Sequence, residues 1–179
     1  MTGRKKIVLI LGGARSGKSS YAQQLATVRG GRVLFCATAQ PLDEEMRERI
    51  RAHRQSRPAG WDTLEATHGL ATALEGVAGK YDTVIIDCIT LLTANCMGET
   101  DDPAAAEKAV EAEIDGLADV MQRSACNFIL VSNEVGSGIV PDNKLARSYR
   151  DALGKANQGL ARAADGVILM TAGLPLKLK

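Results

Sequence analysis

The chain has 179 residues, 45% of them hydrophobic and 24% charged, with a net charge of +1 at neutral pH. That size and balance fit a single globular domain over residues 1–179 with room for a full core. The near-zero charge gives no general pull toward nucleic acid or an anionic membrane, and no apolar run is long enough for a membrane span or a signal core.

No nucleic-acid partner and no transmembrane segment are therefore expected, and cytoplasmic residence is the default. Cys36, Cys88, Cys96 and Cys126 form no C-x-x-C pair. They read as small buried thiols in a reducing compartment rather than as metal ligands.

Along the chain, residues 7–11 read as a buried strand. Residues 19–28 read as a helix closed by Gly30 and Gly31. Residues 32–37 form the next strand-like run. A helix over 42–56 follows, with Asp43, Glu44 and Glu45 at the positive end of its dipole and Pro58 beyond its end. Residues 68–77 read as a short helix and 83–88 as a strongly apolar strand. Residues 93–100 read as a polar loop. Asp102 caps a long helix with Pro103 in its first turn, running to about residue 123.

Residues 127–132 form a further strand. Pro141 and Asp142 open a helix that continues to about residue 164, with Gly154 as its weak point. Two short strands, 166–171 and 175–179, close the chain. This alternation predicts an α/β fold with a mainly parallel sheet and helices on both faces. The short final connection makes the last strand an antiparallel edge.

The strongest motif is Gly12-Gly13-Ala14-Arg15-Ser16-Gly17-Lys18-Ser19, which fits G-x-x-x-x-G-K-[ST] between a strand and a helix. The glycines let successive N–H groups turn inward, and the helix adds its positive end. Lys18 supplies a charge for the β- and γ-phosphates, and Ser19 a hydroxyl for Mg²⁺. A dinucleotide fingerprint fails, because Ala14 stands where a glycine is required. Asp87 ends the run Val84-Ile85-Ile86, which places a carboxylate at the ligand edge of a parallel sheet and makes it the second Mg²⁺ candidate.

Leu42, Met46, Ile50 and His53 share one helical face, while Arg47, Glu48, Arg49, Arg51 and Arg54 occupy the others. His53 thus continues an expected buried stripe. It reads either as a histidine satisfied at the core edge or as a nucleophile attacking phosphorus, with Arg54 and Arg57 neutralising phosphate charge. His68, beside Gly69, reads as a surface or capping residue. The loop from Val135 to Pro141 reads equally as a substrate lid, a subunit contact or an ordinary connection.

The ordered set of motifs resembles the bifunctional adenosylcobinamide kinase/adenosylcobinamide-phosphate guanylyltransferase family of cobalamin biosynthesis. Besides the residues above, it includes Ala37-Thr38-Ala39, His53-Arg54-x-x-Arg57-Pro58, Asp87-Cys88-Ile89-Thr90 and Asn95. Further on come Asn133-Glu134-Val135-Gly136, Arg147, Arg150-Asp151 and Asn157-Gln158.

The resemblance implies a RecA-like P-loop NTPase fold and a homotrimer. It implies phosphorylation of adenosylcobinamide by ATP or GTP with Mg²⁺, then GMP transfer from GTP through His53. The GTP site it implies comprises residues 12–19, Ala37, Thr38, Ala39, Arg54, Gln55, Ser56, Arg57, Glu65 and Asp87. Without the resemblance, two other readings stand: a P-loop small-molecule kinase lacking guanylylation, and a RecA-like nucleotide-binding switch.

Overall fold

The computed structural model describes residues 5–100 and 102–179. Residues 1–4 and 101, part of the expected domain span, lie outside the described residues. One seven-stranded sheet organises the chain. Its strands are β1 (Ile7–Gly12), β2 (Val33–Ala37), β3 (Asp62–Glu65), β4 (Thr83–Asp87), β5 (Asn127–Val131), β6 (Gly166–Thr171) and β7 (Leu174–Lys177). They lie in the order β3-β2-β4-β5-β1-β6-β7. Every pairing is parallel except β6 with β7, which gives the expected antiparallel edge.

The helices are α1 (Lys18–Arg29), α2 (Glu44–Gln55), α3 (Leu70–Glu75), α4 (Ile89–Met97), α5 (Pro103–Arg123) and α6 (Lys144–Ala163). Strand side chains alternate between two cores, as a pleated sheet buried on both faces requires. Ile7 and Leu9 point to the side covered by α3, α4, α5 and α6. Val8 and Ile10 point to the side where α1 contributes Ala22 and Ala26. Among the described residues no helix is long and apolar enough to cross a membrane.

Several expected boundaries move. The stretch expected as a polar loop from residue 93 belongs largely to α4, where Thr90 and Thr93 are buried along with Ile89, Leu92, Cys96 and Met97. A helix enclosed nearly all round has no polar face to reveal its period. Strand β3 has no counterpart in the sequence reading, because three of its four residues are exposed and show no apolar alternation. Helix α6 begins only at Lys144, where the Asn143 carboxamide accepts from the N–H groups of Leu145 and Ala146. It runs unbroken through Gly154.

The final turn is only Ala172-Gly173, so Leu174 joins β7. Both turn residues have positive φ, 51° and 81°. That pair matches the right-handed twist of a two-residue hairpin. Gly173 N–H donates to Ser16 O at 3.1 Å, fastening this hairpin to the loop after β1. Lys179 fastens the chain's last residue, its ammonium donating to the carbonyls of Ala161, Arg162 and Ala164 at the end of α6.

Candidate active site

The carboxyl ends of β1, β2, β3, β4 and β5 meet at one edge. Register pairs Ala37 with both Asp87 and Glu65, and Val131 with both Asp87 and Ile10. Strand β5 separates the strand of the phosphate loop from the strand that ends in Asp87. Residues 12–19 curl over this edge, with Gly12 at φ 148° and Gly17, the N-cap of α1, at φ 96°. Arg15 is also left-handed, at φ 56°, and exposed with Gly13 and Ala14 at the tip.

Gly12 has no room for a side chain. A Cβ there would collide with Met170 O and lie 2.7 Å from Ser16 Oγ. Gly12→Ala should therefore cost at least about 1–3 kcal/mol in backbone strain and distort the cradle. A lowered thermal midpoint and weakened nucleotide binding, read by calorimetry, are the expected results. A variant matching wild type in both would refute this steric account.

Lys18 is buried, and its ammonium donates to Gly13 O at 2.6 Å. Burial lowers its pKa, against the opposing influence of Asp87. Ser16 Oγ is enclosed without a hydrogen-bond partner. Asp87 is half-buried overall, with its Oδ2 enclosed and unpartnered. Burial raises the Asp87 pKa, opposed by the Ser19 hydroxyl beside it and by the charges of His53, Arg57 and Lys18. The same edge thus gathers Lys18, Ser19, His53, Arg57 and Asp87. An enclosed carboxylate oxygen next to a serine hydroxyl is a donor pair of the hard-oxygen kind that suits Mg²⁺.

The expected buried stripe on α2 is not there. The helix starts at Glu44, beyond Leu42, which is 77% exposed, and it contains no buried residue. Met46, Ile50, His53 and Arg57 form a half-buried face instead. So few apolar side chains among so many charges cannot bury a helix deeply. His53 is itself half-buried on that face, so its readings as a core-edge histidine and as a nucleophile both stand.

The end of α2 is tied to the neighbouring strands. Arg54 pairs with Glu65 of β3. Arg57 lies 3.7 Å from the ring centroid of Phe35 and donates to Thr63 Oγ1 at 3.3 Å. Gln55 and Ser56 are exposed at the helix end, where Ser56 Oγ donates to His53 O. Arg57→Ala should loosen α2 through lost stacking as well as lost charge. Faster amide exchange across α2 with the sheet unchanged is the expected signature; unaltered exchange would contradict it.

Thr38 bridges β2 and β4: its hydroxyl donates to Cys88 O at 2.7 Å and accepts from Cys88 N–H at 2.8 Å. Asn95 donates to Thr38 O and Thr67 O, which ties α4 to the same edge. The cysteines are free, with Cys36, Cys96 and Cys126 buried and burial pushing the Cys36 thiol up to about 12. His68 is exposed, 3.1 Å from Thr67 Oγ1, in keeping with its surface reading.

Two contacts were not announced by any motif, although the second joins residues that the resemblance names. One is the brace from Gly173 to Ser16 O. The other is a clamp on Asn133, whose N–H donates to Thr90 Oγ1 and whose carbonyl accepts from Asn157 Nδ2.

The sheet and its phosphate cradle define a P-loop nucleotide-binding protein, with a histidine and arginines added at the cradle's rim. The chain belongs to the cobinamide kinase / cobinamide phosphate guanyltransferase family, which it matches over residues 8–178. It is 43% identical to the bifunctional adenosylcobalamin biosynthesis protein CobU of Salmonella typhimurium, over 97% of this chain and 99% of that one. The protein of the same name from Escherichia coli is 41% identical over the same shares. The bifunctional adenosylcobalamin biosynthesis protein CobP of Pseudomonas aeruginosa is 43% identical over 96% of each chain.

Proposed function

We propose that this enzyme phosphorylates adenosylcobinamide with ATP or GTP, then transfers GMP from GTP onto the new phosphate to give adenosylcobinamide-GDP. The observation that carries this reading is the convergence of Lys18, His53 and Arg57 on Asp87 at the rim of the phosphate cradle. Family membership supplies the substrate class.

In the first reaction, the substrate hydroxyl oxygen attacks the γ-phosphorus, the bond to the β-phosphate oxygen breaks, and a nucleoside diphosphate leaves. Residues 12–19 hold the triphosphate through backbone N–H groups, and Lys18 exchanges Gly13 O for phosphate oxygen. In the second, a neutral His53 nitrogen attacks the α-phosphorus of GTP and pyrophosphate leaves. A phosphate oxygen of the acceptor then displaces the histidine, breaking the N–P bond. Arg57 and Arg54 balance charge on the triphosphate, Arg54 being shared with Glu65. Ala37, Thr38 and Ala39, which run from the end of β2 toward α2, join the nucleotide site in this reading, with Thr38 buried and holding the Cys88 backbone. Mg²⁺, when held by Ser19 and Asp87, supplies charge neutralisation to the phosphates.

Incubation with α-labelled GTP tests the reading. Acid-labile, alkali-stable label on the protein is the expected result. Transfer of γ-phosphate with no covalent GMP would reduce the enzyme to a kinase. The proposal extends to a homotrimer in the cytoplasm. The free cysteines agree with a reducing compartment, and light scattering at a monomer or dimer mass would rule the trimer out.

A further inference from the structure

The kinase reaction proposed above releases a proton from the substrate hydroxyl as its oxygen bonds to the γ-phosphorus. We infer that Glu134 is the general base that takes it, an assignment that rests on that kinase reading.

The ligand edge of the sheet offers three carboxylates at or just beyond its strand ends: Glu65, Asp87 and Glu134. Glu65 is neutralised by its ion pair with Arg54. Asp87 has its Oδ2 enclosed and lies beside Ser19 among Lys18, His53 and Arg57, where its charge is committed to those partners and to the Mg²⁺ role proposed for it. Glu134 differs from both. It follows β5, the strand between the phosphate loop and Asp87, and its side chain is exposed.

Its backbone is fixed where a base is needed. Glu134 N–H donates to Gly12 O at 3.1 Å, so its Cα lies against the first residue of the phosphate cradle. The preceding residue is clamped on both sides, Asn133 N–H by Thr90 Oγ1 at 2.7 Å and Asn133 O by Asn157 Nδ2 at 3.0 Å. Tyr149 OH donates to Thr90 O and steadies the clamp. The chain beyond is tied down by Arg147, which donates to the carbonyls of Pro141 and Asp142.

One carboxylate oxygen of Glu134 accepts from Gly136 N–H at 2.6 Å. The other takes no hydrogen bond from the described residues. Gly136 therefore orients the group while leaving an oxygen for the substrate. The hydrogen bonds of a catalytic base commonly tighten only when substrate binds, and this carboxylate is carried on backbone already held against the cradle.

The proton moves from the hydroxyl to Glu134 as the new O–P bond forms and the bond to the leaving diphosphate breaks. Solvent then takes it from the exposed carboxyl. The guanylylation step needs no such base, because an imidazole nitrogen attacks through its lone pair. The two activities should therefore part at this residue.

The test is Glu134→Gln, assayed with adenosylcobinamide and γ-labelled ATP and, in parallel, with α-labelled GTP alone. Phosphorylation should lose about 100- to 10,000-fold in kcat, with KM for ATP unchanged and His53 labelling by GTP retained. Glu134→Asp should recover part of the loss. Wild-type kcat in the glutamine variant would overturn the assignment. So would a parallel fall of both activities, which would show that Glu134 only braces the cradle through Gly12. Absence of γ-transfer by the wild-type protein would instead strike down the kinase reading, and the assignment with it.

Discussion

His53→Ala should leave the protein unlabelled by α-labelled GTP, down to background, while transfer of γ-phosphate to adenosylcobinamide continues. The two halves of this result have separate physical origins. Covalent capture of GMP needs a nitrogen lone pair, which alanine lacks. The kinase step draws on residues 12–19, Asp87, Glu134 and the substrate, none of which requires the imidazole. The fold should hold, because α2 contains no buried residue and losing the ring opens no cavity in either core. Surface changes of this sort usually fall within about 0.5 kcal/mol. Equal labelling of variant and wild type would show that another residue carries GMP.

Asp87→Asn should nearly silence both reactions and yet make the empty protein more stable. The catalytic loss follows from removing the carboxylate that faces Ser19, with several kcal/mol of charge neutralisation at stake if Mg²⁺ binds there. The gain in stability follows from the direction of the Asp87 shift. Burial raises its pKa in the folded protein above the unfolded value of 3.8. The folded state then holds on to its proton more tightly than the unfolded chain does. Stability of the empty enzyme accordingly falls as pH rises from about 3.8 through the elevated folded pKa, and the loss is complete above it. Asparagine does not titrate, so its advantage should be largest at neutral pH and shrink on acidification. Thermal melts of both proteins across that range, without nucleotide or metal, provide the check. An asparagine variant that melts below wild type at neutral pH would contradict the penalty assigned to the buried charge.

The most legible parts of the sequence were those where one local pattern determines one local structure. The string at residues 12–19 requires a strand before it and a helix after it, and both are present. Asp102 and Pro103 mark the start of α5, and the acidic run at residues 43–45 stands at the start of α2, where Asp43 proves to be the cap. Patterns failed where burial is uniform or absent. Helix α4 is enclosed nearly all round, and strand β3 is almost wholly exposed, so neither carries an alternation to read.

The site divides along the same line. The cradle and Asp87 were visible because a strand end and a glycine loop are local. The stripe through His53 predicted the right face of α2 but the wrong depth, since depth depends on what packs above the helix. Contacts from distant segments, such as Asn157 to Asn133 or Arg57 to Phe35, have no local signature at all.

The hairpin of β6 and β7 has a practical consequence for anyone handling the protein. Gly173 holds Ser16, and Lys179 stitches the last residue to α6, so the C-terminal strand is mechanically continuous with the phosphate cradle. An affinity tag or fusion partner attached behind Lys179 would pull on that strand and register as altered nucleotide affinity.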